Sequence, residues 1–274
     1  MKLNRFMPFL LASMLSVGVG HAAGLAQPLI IGVAPGPYGD MVNQAIKPEL
    51  AKKGYQVEVK EFSDYIQPNM ALSNKSIDAN LFQNQRYLNR FMADKGLKLY
   101  AVISVPTASM GFYSSKIRSF DELKAGDIIT LPNDPSNLAR SLEFLQKYHL
   151  ITLNPVITPT KASLRDIRDN PKGLVFKPLE AAQLPRALSG VTGSLINANF
   201  AIAAGLKLSQ AIQLDKLPED IKNLIVVREE DADKPFVRDM REAVQSPAFA
   251  AFFADKTSLF YDFQKPDWMT PANR

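Results

Sequence analysis

The sequence predicts an α/β fold organised as two lobes. Three observations carry that expectation. Short apolar runs alternate with stretches whose apolar residues recur at helical spacing, the order of a mainly parallel sheet with helices on its faces. The alternation begins twice, near residue 28 and again near residue 108. No low-complexity linker separates the two series, so the chain is expected to cross between its lobes more than once.

In the first series the apolar run 29–34 is stopped by Pro35, Gly36 and Pro37, which reads as a buried strand and a turn. Met41, Val42, Ala45, Ile46 and Leu50 then fall at helical spacing, and Gly54 closes the helix. Tyr55, Val57 and Val59 alternate with polar residues, the signature of a strand. Pro68 suits the first turn of a helix carrying Met70, Ala71 and Leu72. A strand over 78–82, a helix marked by Tyr87, Leu88, Phe91 and Met92 and ended near Gly96, and a strand over 97–105 complete this series.

The second series carries a capping-box spacing at Ser119 and Glu122. Strands are expected over 127–131, 174–179 and 194–197, and helices over 136–148, 180–188 and 198–204. A last apolar strand spans 223–228, Pro235 opens a helix with Phe236, Val237, Met240 and Val244, and a short helix starts at Pro247. Residues 28–107 with 223–274 are assigned to the first lobe, and 108–222 to the second. Ligands of such sheets bind beyond the carboxyl ends of the strands or between domains.

Ahead of this pattern, Lys2 and Arg5 precede an apolar run and the small residues Gly20, Ala22 and Ala23. That order predicts a secretory signal peptide over 1–22, and hence a periplasmic or secreted protein. The chain has no cysteine, so within it there are no disulfides, thiolate metal sites or cysteine nucleophiles. It also lacks the residue that would carry a lipid at the cleavage point, and a soluble protein without a lipid-anchor cysteine is expected. The net charge of +5 is scattered among acids, with no basic block, and no nucleic-acid partner is expected.

Catalytic motifs are scarce. Of two histidines, His21 lies in the expected signal and His149 at the end of a helix, where a surface or capping role suits it. No nucleophile elbow, Walker loop, zinc-protease motif or EF-hand occurs. The chain is therefore read as a binder rather than an enzyme, with no cofactor and no metal. A secreted hydrolase using a carboxylate pair leaves no short motif and stays open, as does an adhesin or signalling protein reusing a binding fold.

Several residues suit a ligand. The segment 131–137 leaves a strand and enters a helix, offering backbone N–H groups to an anion, and Arg140 lies one turn further in, against an ordinary cap and a surface arginine as the alternative. Asn197 and Asn199 follow a strand and offer both donors and acceptors, against a plain cap as the alternative. Asn223 begins a strand and equally suits a turn. Tyr65, Phe82, Tyr87 and Met110 could line an apolar slot or simply fill the core.

These motifs, taken in order, carry a resemblance. Gly32-Val-Ala-Pro-Gly-Pro37, Glu61-Phe-Ser-Asp-Tyr65 with Pro68 and Asn69, and Asp78-Ala-Asn-Leu-Phe-Gln83 with Tyr87 and Leu88 belong to it. So do Pro132-Asn-Asp-Pro135 with Asn137 and Arg140, Leu179-Glu-Ala-Ala-Gln-Leu-Pro-Arg186, and Ile196 with Asn197. The ordered set resembles the methionine-binding, MetQ/NlpA-type substrate-binding proteins of ABC importers. The resemblance implies a two-lobed periplasmic-binding-protein fold, type II-like, closing on an amino acid, methionine or a close analogue, in the interlobe cleft. It implies a monomer that works with an ABC permease and its cytoplasmic ATPase. By the same resemblance Arg140 pairs with the ligand carboxylate, Asn197 and Asn223 hold the headgroup, and Tyr65, Phe82 and Tyr87 enclose the side chain. Three places depart from the family pattern beside that pocket: Asn84 stands where histidine is usual, Arg86 where proline is usual, and 106–110 lacks the usual aromatic or histidine.

Overall fold

The computed structural model describes residues 26–270; the expected signal peptide lies outside the described residues. In chain order the strands are β1 (Gln27–Val33), β2 (Tyr55–Glu61), β3 (Ala79–Asn84), β4 (Leu99–Ser104), β5 (Gly111–Tyr113) and β6 (Ile128–Pro132). They continue as β7 (Thr152–Leu153), β8 (Ile167–Asp169), β9 (Val175–Leu179), β10 (Gly193–Ile196), β11 (Gln213–Leu214) and β12 (Asn223–Arg228). The α-helices are α1 (Pro37–Met41), α2 (Lys47–Ala51), α3 (Gln67–Ser73), α4 (Gln85–Lys95), α5 (Pro135–Lys147), α6 (Leu184–Ala187), α7 (Ala198–Ala203), α8 (Pro235–Val244) and α9 (Pro247–Phe252).

Two five-stranded sheets organise the chain, in the orders β2-β1-β3-β12-β4 and β11-β5-β10-β6-β9. β1 runs parallel to β2 and β3, whereas β12 lies antiparallel between β3 and β4. In the second sheet β6 is parallel to β9 and β10, and β5 is antiparallel to β10 and β11. The sheets are thus more mixed than the expected mainly parallel arrangement. The chain leaves the first sheet after β4 and re-enters its interior as β12. Every residue of β12 is buried, which its nearly unbroken apolar run Leu224 to Val227 allows.

Local chemistry explains most element boundaries. The helix expected after Tyr38 forms, but its middle, Val42–Ile46, is a π-helical stretch between α1 and α2. Pro48 has no N–H for the carbonyl one turn back and its ring crowds that turn, so the ladder widens there. α4 begins where the Asn84 side chain accepts the Tyr87 N–H and ends at Gly96, whose φ of +64° suits a left-handed cap. The helix expected over 180–188 is broken into 3-10 turns on either side of the four-residue α6. Pro185 lies in its first turn and interrupts the same ladder. The two- and three-residue strands β5, β7, β8 and β11 were too short for periodicity to signal.

The first sheet packs Ile31, Val33, Leu81, Ile225 and Val227 into a core with Met41, Ile46, Leu50 and Met240. Phe249, Phe253, Phe260 and Phe263 close this core from the C-terminal side. The second sheet has its own core, around Phe112, Ile129, Leu131, Leu142, Leu145 and Leu195. A third, aromatic cluster joins the two: Tyr65, Phe82, Tyr87 and Phe91 from the first side meet Tyr113, Ile196 and Phe200 from the second. No helix among the described residues is long and apolar enough to cross a membrane.

Candidate functional site

A cleft with about 380 Å³ of empty space, part of it open to solvent, lies beside this aromatic cluster. Its walls come from the carboxyl end of β3 and from the chain beyond the carboxyl ends of β1, β2, β4, β6 and β10, from both sheets, as the topology of α/β proteins favours. Tyr65, Phe82, Asn84 and Tyr87 line it from the first side. Arg140 and Asn197 face it from the second, and Asn223 from the start of β12. These seven residues, each singled out from the sequence, therefore line one cleft together with Asn199. Their register is tight: Asn223 pairs directly with Asn84 across β12 and β3.

The aromatic wall is held in shape by hydrogen bonds and ring contacts. Tyr65 stacks on Phe82 at 5.7 Å between centroids and meets the Tyr87 edge at 5.9 Å. Tyr87 Oη donates to the Tyr65 carbonyl at 2.9 Å, and Tyr65 Oη donates to Asn199 Oδ1 at 2.5 Å. Burial raises the pKa of both phenols, so they stay neutral donors. Behind Phe82, the amides of Asn69, Asn80 and Gln83 satisfy one another in a buried network, which fixes the end of β3.

The polar wall is built differently. Arg140 sits in the second turn of α5 and is not free: Nε donates to Asp215 Oδ2 at 2.8 Å, and Nη2 lies 2.6 Å from the same oxygen. Both side chains are 12% exposed, so the pair is largely withdrawn from water. Burial raises the Asp215 pKa, against the pull of Arg140. One face of the guanidinium is thus taken by Asp215, while Arg140 still lines the cavity. Asn197 Nδ2 donates to Asn137 Oδ1 at 2.9 Å, and Asn137 Nδ2 in turn reaches the Asp134 carboxylate at 3.0 Å. Asn197 Oδ1 is buried without a hydrogen-bond partner.

Two expectations need correction. The N-terminus of α5 is not an open anion site, because the Asp134 carboxylate caps it, accepting the Asn137 N–H at 2.9 Å. An acid already occupies the positive end of that helix. Met110 does not line the cavity; it is buried in the second core, with Ser141 Oγ 3.8 Å from its sulfur. Asn223 opens a central strand, as the sequence led one to expect, and its N–H donates to Thr107 Oγ1 at 2.8 Å. His149 is exposed just past α5, at φ +57°, away from the cavity.

Thr107 and Ala108, from the stretch 106–110 placed beside the pocket, line the cavity too, as does Tyr38, which sequence reasoning left out. Tyr38 is buried and its phenol is pushed up to about 12 by desolvation. Nothing local marks it, since the chain turn at Gly36 carries it into the cleft. Asn199 was visible as a second asparagine after Asn197. Its Nδ2 donates to the Pro35 carbonyl at 2.9 Å, which stitches α7 to the turn after β1.

With this geometry in place, the chain can be set beside known proteins. The family model of the NlpA lipoprotein matches residues 29–268. The D-methionine-binding lipoprotein MetQ of Escherichia coli strain K12 is 38% identical over 240 residues, covering 86% of this chain and 88% of that one. A nutrient binding protein from Burkholderia cenocepacia, solved bound to methionine, superposes with a TM-score of 0.78 at 38% identity, over 83% of this chain and 96% of that one. An ABC transporter periplasmic substrate-binding protein from Coxiella burnetii gives a TM-score of 0.80 at 36% identity, over 87% and 99%. The fold is accordingly the two-lobed one that the sequence implied.

These matches overturn the expectation of a soluble protein without a lipid anchor: the family and its curated relatives are lipoproteins by name. The lack of cysteine describes the side chains of this sequence and does not establish release into solution. Coverage of nearly the whole described chain by the family model, at more than a third identity to its curated relatives, makes this chain a member of the NlpA lipoprotein family.

Proposed function

We propose that this chain is the solute-binding subunit of an ABC importer and that it holds one amino acid, methionine or a close analogue, in the cavity between its two sheets. The observation that carries the reading is the juxtaposition of Arg140 with the buried, unpartnered Asn197 Oδ1 on one cavity wall. A cation and an acceptor side by side suit the carboxylate and ammonium of a zwitterion, since a buried acceptor without a partner costs about 1–3 kcal/mol. The relatives' names, D-methionine binding among them, and the methionine-bound neighbour support the same ligand class.

In this reading Arg140 takes the carboxylate, Asn197 and Asn223 hold the headgroup, and Tyr65, Phe82 and Tyr87 with Asn84 receive the side chain. Residues 28–107 with 223–274 and residues 108–222 act as lobes that close on the ligand. The protein binds without transforming it, works as a monomer, and passes the ligand to a permease with its cytoplasmic ATPase.

A thermal-shift screen of amino acids, dipeptides and sulfur compounds tests this. Methionine or an analogue should raise the melting temperature by mass action. Arg140→Ala should remove that rise, because losing a charge-assisted bond in a buried site costs about 2–5 kcal/mol. If no amino-acid-like compound stabilises the protein, or if Arg140→Ala responds as the wild type does, the assignment is wrong.

A further inference from the structure

Outside the cavity, one side chain ties the two halves of the molecule together. Arg86 lies in the first turn of α4, which belongs to the first sheet's side. Its Nη1 donates to both carboxylate oxygens of Glu143, at 3.0 and 3.2 Å, on the middle of α5 from the second side. Its Nε donates to Asp220 Oδ2 at 2.6 Å, on the chain returning toward β12. One guanidinium therefore joins an element of each sheet and the crossover between them. Desolvation works against its charge, but the bonds from Asp220 and Glu143 outweigh it and raise its pKa.

The position of Arg86 couples this bridge to the ligand site. Its neighbours Asn84 and Tyr87 line the cavity, and Arg140, one turn from Glu143 on α5, lies between the cavity and a hollow that Arg86, Glu143 and Asp215 share. The bridge can form only while α4 and α5 are side by side. The Arg86 side chain is 23% exposed and Glu143 30%, so the contact is partly screened but not free in water.

We infer that Arg86 is an affinity-determining residue that acts from outside the cavity, as a latch holding the closed arrangement over the ligand. The inference rests on the reading above, that the two sides close on an amino acid. A contact present only in the closed form adds its free energy to the closed form alone. It should slow ligand release, and it should leave capture unchanged or slow it, because capture begins from the open form.

The test is stopped-flow binding of methionine to the full chain, with small-angle scattering of the unliganded protein. Arg86→Ala should speed dissociation about fivefold, the equivalent of about 1 kcal/mol, with association unchanged or faster. Glu143→Gln should act in the same direction and add little in the double variant. Arg86→Lys, which keeps the charge but cannot fork between two carboxylates, should recover part of the effect. The unliganded radius of gyration should rise in Arg86→Ala. The latch is overturned if Arg86→Ala and Glu143→Gln both release methionine at the wild-type rate. A fall in association alone, or equal loss in Arg86→Ala and a far-surface control such as Arg168→Ala, would also overturn it. If the wild type does not bind methionine, the functional reading falls and scattering decides the latch: an unchanged radius in Arg86→Ala overturns it.

Discussion

At the scale of single residues, the two halves approach closely at Gly36. Its φ is +116°, a region L side chains rarely adopt, and a Cβ there would overlap the Asn199 carbonyl. Asn199 also holds Tyr65 and Pro35, so the seam cannot simply slide aside. Gly36→Ala is expected to weaken methionine binding by tenfold or more, equivalent to at least about 1.4 kcal/mol, measured by calorimetric titration. An unchanged affinity would mean that this seam is not needed in the bound state. The legibility of the site differs residue by residue. Arg140 and Asn197 could be read because each follows a strand ending, a local signal. Asp215, the partner of Arg140, could not, since 75 residues separate the two and no short motif links them.

At the scale of elements, helices and strands were legible where periodicity ran for several turns, as in α4, α5 and α8. Where proline interrupted the ladder, at Pro48 and Pro185, the pattern named a helix and the backbone made a π stretch or 3-10 turns. The anchoring of α8 offers a test in pH. Tyr55 on β2 donates to Asp239 Oδ2 at 2.7 Å, and Lys53 Nζ to Asp239 Oδ1 at 2.9 Å. Desolvation raises the Asp239 pKa, but these bonds outweigh it and hold the carboxyl below its ordinary value. A depressed folded-state pKa means the stabilisation is present above the ordinary aspartate range and is lost as pH falls through the folded value. Asp239→Asn should lower the melting temperature at neutral pH, and the gap from wild type should narrow below about pH 4. A gap that is constant across pH would show that the carboxylate charge plays no part.

At the scale of the whole molecule, the two sheets share the cavity and an aromatic seam, and the chain crosses between them in both directions. The crossings are pinned together: Gln264 Nε2 donates to the Asp215 carbonyl at 3.1 Å and to Ser109 Oγ, while its Oε1 accepts the Leu217 N–H at 3.0 Å. One side chain near the C-terminus thus holds both crossover segments. Two α/β series without a linker foretold the repeated crossing, but not that the returning strand would be inserted antiparallel in the middle of the first sheet. Pairing partners far apart in sequence leave no local trace. Attachment was misjudged because a missing residue type was read as a location.

The central claim is that the cavity holds a zwitterionic amino acid, and a crystal structure of the protein grown with methionine tests it most directly. The carboxylate should lie within hydrogen-bond distance of the Arg140 guanidinium, the ammonium on Asn197 Oδ1, and the side chain against Tyr65, Phe82 and Tyr87. Methionine bound elsewhere, or bound with its carboxylate away from Arg140, would contradict it.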